Sequence, residues 1–132
     1  MRVIVPFAAF GLAALFAASP ANANSTFPYT CSNTSFQYTS TGLATIQSTC
    51  LQSNGMPHQT TLLLKGISNQ NGKLVQGTGT STFQQSCGSI AIMTEGPIVT
   101  LTAYCRMSNG SSNSTSLSLN NIANDNGKLV QK

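Results

Sequence analysis

The chain has 132 residues, only 6% of them charged, and a formal net charge of +4. That length bounds one modest domain with a single core. The positive side chains are scattered along the chain, which excludes the basic stripe of a nucleic-acid binder.

At the N-terminus, Arg2 is the only charge in the first 60 residues and precedes the apolar run VIVPFAAFGLAALFAA. Ser19-Pro20-Ala21-Asn22-Ala23 follows with small residues at alternate positions. This order predicts a secretory signal peptide over 1–23, cut after Ala23, and a mature domain over 24–132. A membrane anchor is the competing reading; the run is short for a span, contains Pro6 and lacks basic flanks. Secretion is therefore the expectation (periplasmic, if the source is bacterial), with no membrane span left after cleavage. The mature chain keeps Lys65, Lys73, Arg106, Lys128 and Lys132 against Glu95 and Asp125, a net charge of +3. The rest of its polar surface is Ser, Thr, Asn and Gln, suited to neutral, hydroxyl-rich partners.

The first strand signal is the alternation at Ala44, Ile46 and Ser48, followed by Leu62 and Leu64. Asn71-Gly72 is the preferred central pair of a type I′ hairpin turn, because both positions need positive φ. Leu74-Val75 forms the returning strand. Gly77-Thr78-Gly79-Thr80-Ser81 reads as a linker, and then the pattern begins again. Val99, Leu101 and Ala103 alternate, Leu117 and Leu119 follow, and Asn126-Gly127 precedes Leu129-Val130. The hexapeptide NGKLVQ stands unchanged at 71–76 and 126–131. Shifting the chain by 55 residues aligns these elements, and a single gap between the cysteines raises the shift to 56 before it. The chain is an internal duplication, repeat one over 27–76 and repeat two over 83–131, and its unit is an all-β supersecondary element. A lone hairpin buries too little to be stable, so the two copies must pack on each other.

Cys31, Cys50, Cys87 and Cys105 all follow the predicted cleavage site. An even count in a secreted domain reads as a disulfide framework with three possible connectivities. If each copy closes its own loop, the bonds are Cys31–Cys50 and Cys87–Cys105. No C-x-x-C occurs and His58 is the only histidine, so a metal site is not expected.

Each repeat carries F-x-x-[ST]-C (Phe27–Cys31, Phe83–Cys87), a second cysteine, an L-x-L strand and I-x-N-x-N-G (Ile67–Gly72, Ile122–Gly127). In these motifs the mature chain resembles the cyanovirin-N homolog family over both repeats. The resemblance implies an all-β, pseudo-two-fold lectin fold with a three-stranded sheet and a hairpin from each repeat. It also implies binding of high-mannose oligosaccharides, with terminal α1→2-linked mannose preferred, through a shallow polar site at one or both ends and without a cofactor.

Carried over residue by residue, the resemblance gathers two sites. One comprises Asn69, Asn71, Ser81, Thr82, Gln85, Ser86, Arg106 and Ser108. The other comprises Thr26, Tyr29, Thr30, Leu51, Ser53, Asn124 and Asn126. The first is the expected better site, because Gln85 and Arg106 are long polar arms. The second has Leu51 where the family often has a carboxylate and Tyr29 where it often has an amide. Mannose presents vicinal hydroxyls, which amides, hydroxyls and carboxylates in fixed loops recognise. The competing role for the four asparagines is turn-making, and it weighs more on Asn71 and Asn126 than on Asn69 and Asn124. Acids are missing from the contact positions except for Asp125, between Asn124 and Asn126, so binding is expected to be weaker than in the family's tight members.

A secreted structural or adhesion module with a decayed or altered glycan specificity is the alternative function. An enzyme is not expected. The mature chain holds one glutamate, one aspartate and one histidine, too few for paired carboxylates or a Ser–His–acid set, and His58 reads as an exposed turn residue beside Pro57. The linker is longer than a strained hinge, so a monomer is expected, with a domain-swapped dimer as its alternative. The sequons at Asn24, Asn33, Asn109 and Asn113 match by chance readily in a chain so rich in Asn, Ser and Thr.

Overall fold

A computed structural model describes residues 24–132. The expected signal peptide, 1–23, lies outside the described residues. Ten strands follow in order: β1 (Cys31–Tyr38), β2 (Ala44–Leu51), β3 (Pro57–Leu63), β4 (Lys65–Asn69), β5 (Leu74–Thr80), β6 (Cys87–Glu95), β7 (Ile98–Arg106), β8 (Ser112–Ser118), β9 (Ile122–Asp125) and β10 (Lys128–Gln131). They make antiparallel sheets β1-β2-β3 and β6-β7-β8, and hairpins β4-β5 and β9-β10. The fold is thus all-β, with one three-stranded sheet and one hairpin from each repeat. Short 3₁₀ turns at Phe27–Tyr29 and Phe83–Gln85, which strand periodicity does not signal, lead into β1 and β6.

The alternation seen in the sequence places the core. Ile46 and Leu101 are fully buried, and Ala44, Ser48, Val99 and Ala103 nearly so. The rest of the core comes in pairs related by the repeat: Phe27 with Phe83, Leu64 with Leu119, Ile67 with Ile122, and Leu74 with Leu129. Cys31–Cys50 and Cys87–Cys105 are bonded, each bridging directly opposed residues of neighbouring strands. Each closes a loop of 18 or 19 residues. Replacing Cys87 and Cys105 together by serine is expected to cost about 3 kcal/mol in the chain-entropy account. Urea denaturation of the oxidised protein beside that variant measures it.

The two hairpins exchange partners across the repeat. In repeat one's hairpin, the Leu74 N–H donates to Thr115 Oγ1 of β8, and Gly72 O accepts from Asn113 Nδ2. In repeat two's hairpin, the Leu129 N–H donates to Thr60 Oγ1 of β3. Asn71 and Gly72 sit at φ 50° and 89°, and Asn126 and Gly127 at 51° and 88°, so both two-residue turns have the expected geometry. Gly72 lies against Met107 and Asn113, where a Cβ would approach Met107 Cγ to 2.6 Å.

Two expectations are corrected. Residues 77–80 of the expected linker continue β5, with Thr80 paired to Lys65 across a bulge. Gly66, at φ 75°, makes the bulge possible, and Gln76 Nε2 ties it by donating to Lys65 O and Gly77 O. His58 is exposed but lies on β3, opposite Cys50, not in a turn.

Candidate carbohydrate site

Both ends of the molecule are built by one rule. The disulfide ends of β1-β2 or β6-β7 meet the Asn-x-Asn-Gly turn of the other repeat, and asparagine side chains fasten the joint. At one end, Asn69 Nδ2 donates to Ser86 Oγ and Arg106 O, both at 2.9 Å, while its Oδ1 accepts from the Gly72 N–H at 2.7 Å. At the other end, Asn124 Nδ2 donates to Thr30 Oγ1 and Leu51 O, both at 2.9 Å, and its Oδ1 accepts from the Gly127 N–H at 2.7 Å. Both N–H groups of each amide are therefore spent inside the protein.

Asn71 and Asn126 use only their oxygens. Asn71 Oδ1 accepts from the N–H and Oγ of Ser108 at 2.8 and 3.0 Å. Asn126 Oδ1 accepts from the N–H and Oγ of Ser53 at 2.8 and 2.9 Å. Their Nδ2 groups make no hydrogen bond among the described residues, and both side chains are exposed. The turn asparagines therefore keep donors for a ligand. The asparagines two residues upstream, the better sequence candidates, keep none.

The remaining candidates divide. Ser81 is 2% exposed, and its hydroxyl accepts from the Ile67 N–H, so it belongs to the core wall and is not presented to solvent. Its counterpart Ser25 does the same for Ile122 and also donates to Leu119 O. Thr82 and Thr26 are exposed, and their N–H groups fasten the 3₁₀ turns to Ile67 O and Ile122 O. Thr26 lines a separate cleft with Asn24, Asn121 and Lys132. Tyr29 projects into solvent, 67% exposed.

Two open clefts collect the others. Gln85, Ser86 and Arg106 line one of about 320 Å³, joined by Gly88, Ser89, Tyr104 and Ser112. Thr30, Leu51, Ser53, Asn124 and Asn126 line another of about 540 Å³, joined by Gln52, Gly55 and Asp125. Tyr104 was legible in principle. Val99, Leu101, Ala103 and Cys105 point inward on β7, so Tyr104 shares the outward face with Arg106. Ser112 follows from the register, which sets it opposite Arg106. Among the described residues no cluster of three ligating side chains could hold a metal ion.

The ends differ in chemistry. The larger cleft combines an acceptor-only carboxylate, Asp125, with the free amide donors of Asn126 and the hydroxyl of Ser53. Its Leu51 is 47% exposed and offers an apolar wall. The smaller cleft holds the donor-only guanidinium of Arg106, an exposed phenol and several hydroxyls.

A family model described as the CVNH domain matches residues 27–130. No match is found among curated protein sequences. Among solved structures the chain is similar to TbCVNH of T. borchii, at 28% identity and a TM-score of 0.62, over 81% of this chain and 99% of that one. It is similar to microvirin, solved as a complex with mannobiose, at 25% identity and a TM-score of 0.60, over 82% of this chain and 99% of that one. It shares its fold with a MoCVNH3 variant solved in complex with (N-GlcNAc)4, at 15% identity and a TM-score of 0.65, over 82% of this chain and 97% of that one. With the match running through both repeats and the repeated I-x-N-x-N-G turns in place, the chain belongs to the cyanovirin-N homolog (CVNH) family.

Proposed function

We propose that the protein is a secreted lectin, not an enzyme, that takes high-mannose glycans, with α1→2-linked dimannose as its smallest useful ligand. The observation that carries this reading is the Asp125 end. There a carboxylate acceptor and two unspent amide protons face one open cleft. Vicinal sugar hydroxyls both donate and accept, so they need such a mixed set within a few ångströms. The mannobiose complex of microvirin supports the choice of sugar. The cleft is open, and few of its groups are charged, which supports a modest single-site affinity. Occupation of both ends by one branched glycan, or by clustered glycans, would raise avidity well beyond it.

Calorimetric titration with α1→2-linked dimannose tests the reading. Asp125→Asn is expected to weaken binding about tenfold, since a charge-assisted acceptor is replaced by a neutral amide of the same shape. Flat heats for the unaltered protein up to millimolar sugar would sink the mannose assignment. The molecule would then be a scaffold of the same fold, whose asparagines serve only the joints they fasten.

A further inference from the structure

Resting on the lectin reading, we infer that the Arg106 end is a separate subsite for an acidic sugar, a glycan terminating in a uronate-type carboxylate. The chain has only two acids. Glu95 lies beside Met93 and Ile98 in a different cleft, and Asp125 lines the cleft at the opposite end. Neither stands in the cleft of Arg106, so the one guanidinium of the described residues faces solvent without a carboxylate. Its backbone is fixed from both sides. The Arg106 N–H donates to Ser86 O at 2.9 Å, and Arg106 O accepts from Asn69 Nδ2 at 2.9 Å. The side chain thus springs from a rigid strand end, and its fork is the only cationic group among the described residues that line the cleft.

A guanidinium offers five donors and no acceptor, which suits a ligand group that only accepts. A neutral hydroxyl meets half of its needs there, whereas a carboxylate can take two parallel N–H bonds. The surrounding groups fit the rest of a pyranose ring. Tyr104, 57% exposed, shares the outward face of β7 with Arg106 and offers an aromatic surface to the apolar side of a sugar. Ser86, Ser89 and Ser112 line the same cleft and supply hydroxyls for the ring's own. The repeat sharpens the contrast, because the counterpart of Arg106 is Leu51 and the counterpart of Asp125 is Gln70. The cation and the anion are thus placed at opposite ends, so only the Arg106 end offers a counter-charge to an acidic sugar.

The test is a pair of probes that differ only at C6: methyl β-D-glucuronide and methyl β-D-glucoside. Each is titrated into the oxidised, isotope-labelled protein at low ionic strength, with backbone amide shifts as the readout. The glucuronide is expected to move the amides of Ser86, Ser89, Tyr104 and Arg106 and to bind about fivefold to tenfold more tightly than the glucoside. This preference should shrink in 0.5 M salt, where about 4 Å of screening length remains. Arg106→Gln should abolish the preference, and Arg106→Lys should retain only part of it, since the charge survives without the fork. Equal affinity for the two probes, or a preference unaltered in Arg106→Gln, overturns the inference. If neither probe moves an amide while α1→2-linked dimannose moves those of Asp125 and Asn126, the acidic subsite falls and the lectin reading stands. If dimannose is also silent, both fall.

Discussion

Gly66→Ala is expected to lower the thermal midpoint by more than ten degrees, and by clearly more than Gly79→Ala, whose cost is the backbone conformation alone. Both glycines have left-handed backbones, with φ of 75° and 86°. An alanine there costs about 1–2 kcal/mol for the conformation alone. At Gly79 that is the whole cost, because nothing lies within 4 Å of an added Cβ. At Gly66 the added atom would stand 2.0 Å from Gly77 O and 2.5 Å from Gly77 C, both backbone atoms of the facing strand. The bulge would have to open, breaking the Lys65–Thr80 pairing and the two bonds donated by Gln76. A loss of about 3 kcal/mol or more follows from that combination of strain and broken bonds. In a domain of this size each kilocalorie moves the midpoint by about 4–8 °C. Differential scanning calorimetry of the two variants side by side measures the difference. Equal shifts would mean that β4 and β5 do not approach so closely, and that residues 77–80 are a linker after all.

That bulge also shows what the sequence could and could not convey. Asn71-Gly72 and Asn126-Gly127 announced their turns, since only a narrow set of residues tolerates two successive positive φ values. The alternation at Ala44–Ile46–Ser48 and Val99–Leu101–Ala103 announced the buried faces of β2 and β7, because a period of two fixes which side chains share a face. Gly77–Thr80 gave no such signal. Its pairing depends on Gly66, eleven residues earlier, and a strand without apolar alternation looks like a loop. The exchange of hairpins between repeats left no sign in the periodicity either, and entered only through the resemblance, which set Asn69 and Asn71 of repeat one beside Ser86 and Arg106 of repeat two. A hairpin that packs on its own sheet and one that packs on its neighbour's bury the same residues at the same spacing.

The candidate site was legible as a set of residues but not as a set of atoms. The family resemblance gathered Asn69, Asn71, Ser86, Arg106 and Ser108 at one end, and the hydrogen bonds join these same residues. Which amide protons remain free is decided by the carbonyls and hydroxyls that the other repeat brings within 3 Å. That information exists only after the two halves have docked. Asp125 illustrates the point from the other side. The sequence already set it between Asn124 and Asn126 as the one acid at the contact positions, in the site where Leu51 marks a missing carboxylate, and the structure places both in one cleft.

Asn126→Asp should remove most dimannose binding at the Asp125 end while leaving the fold in place, whereas Asn124→Ala should damage the fold first. The aspartate keeps the oxygen that accepts from both groups of Ser53, so the joint between the turn and the loop survives. Aspartate also tolerates the left-handed backbone at this position, φ 51°. What disappears is the pair of Nδ2 protons, and a second negative charge arrives beside Asp125. A sugar hydroxyl that accepted from Asn126 then meets an acceptor, and affinity is expected to fall about tenfold or more. Asn124→Ala instead strands Leu51 O, Thr30 Oγ1 and the Gly127 N–H, all of which lose their partner. The joint is partly exposed, so water recovers some of this, and about 2 kcal/mol of stability should be lost. Calorimetric titration and thermal melts of both variants separate the two roles. Asn71→Asp makes the same exchange at the Arg106 end and should leave the Asp125 end untouched. Dimannose binding that survives Asn126→Asp, with the melt unchanged, would show that the free amide is not a contact. Asp125 and the Ser53 hydroxyl would then have to hold the sugar alone.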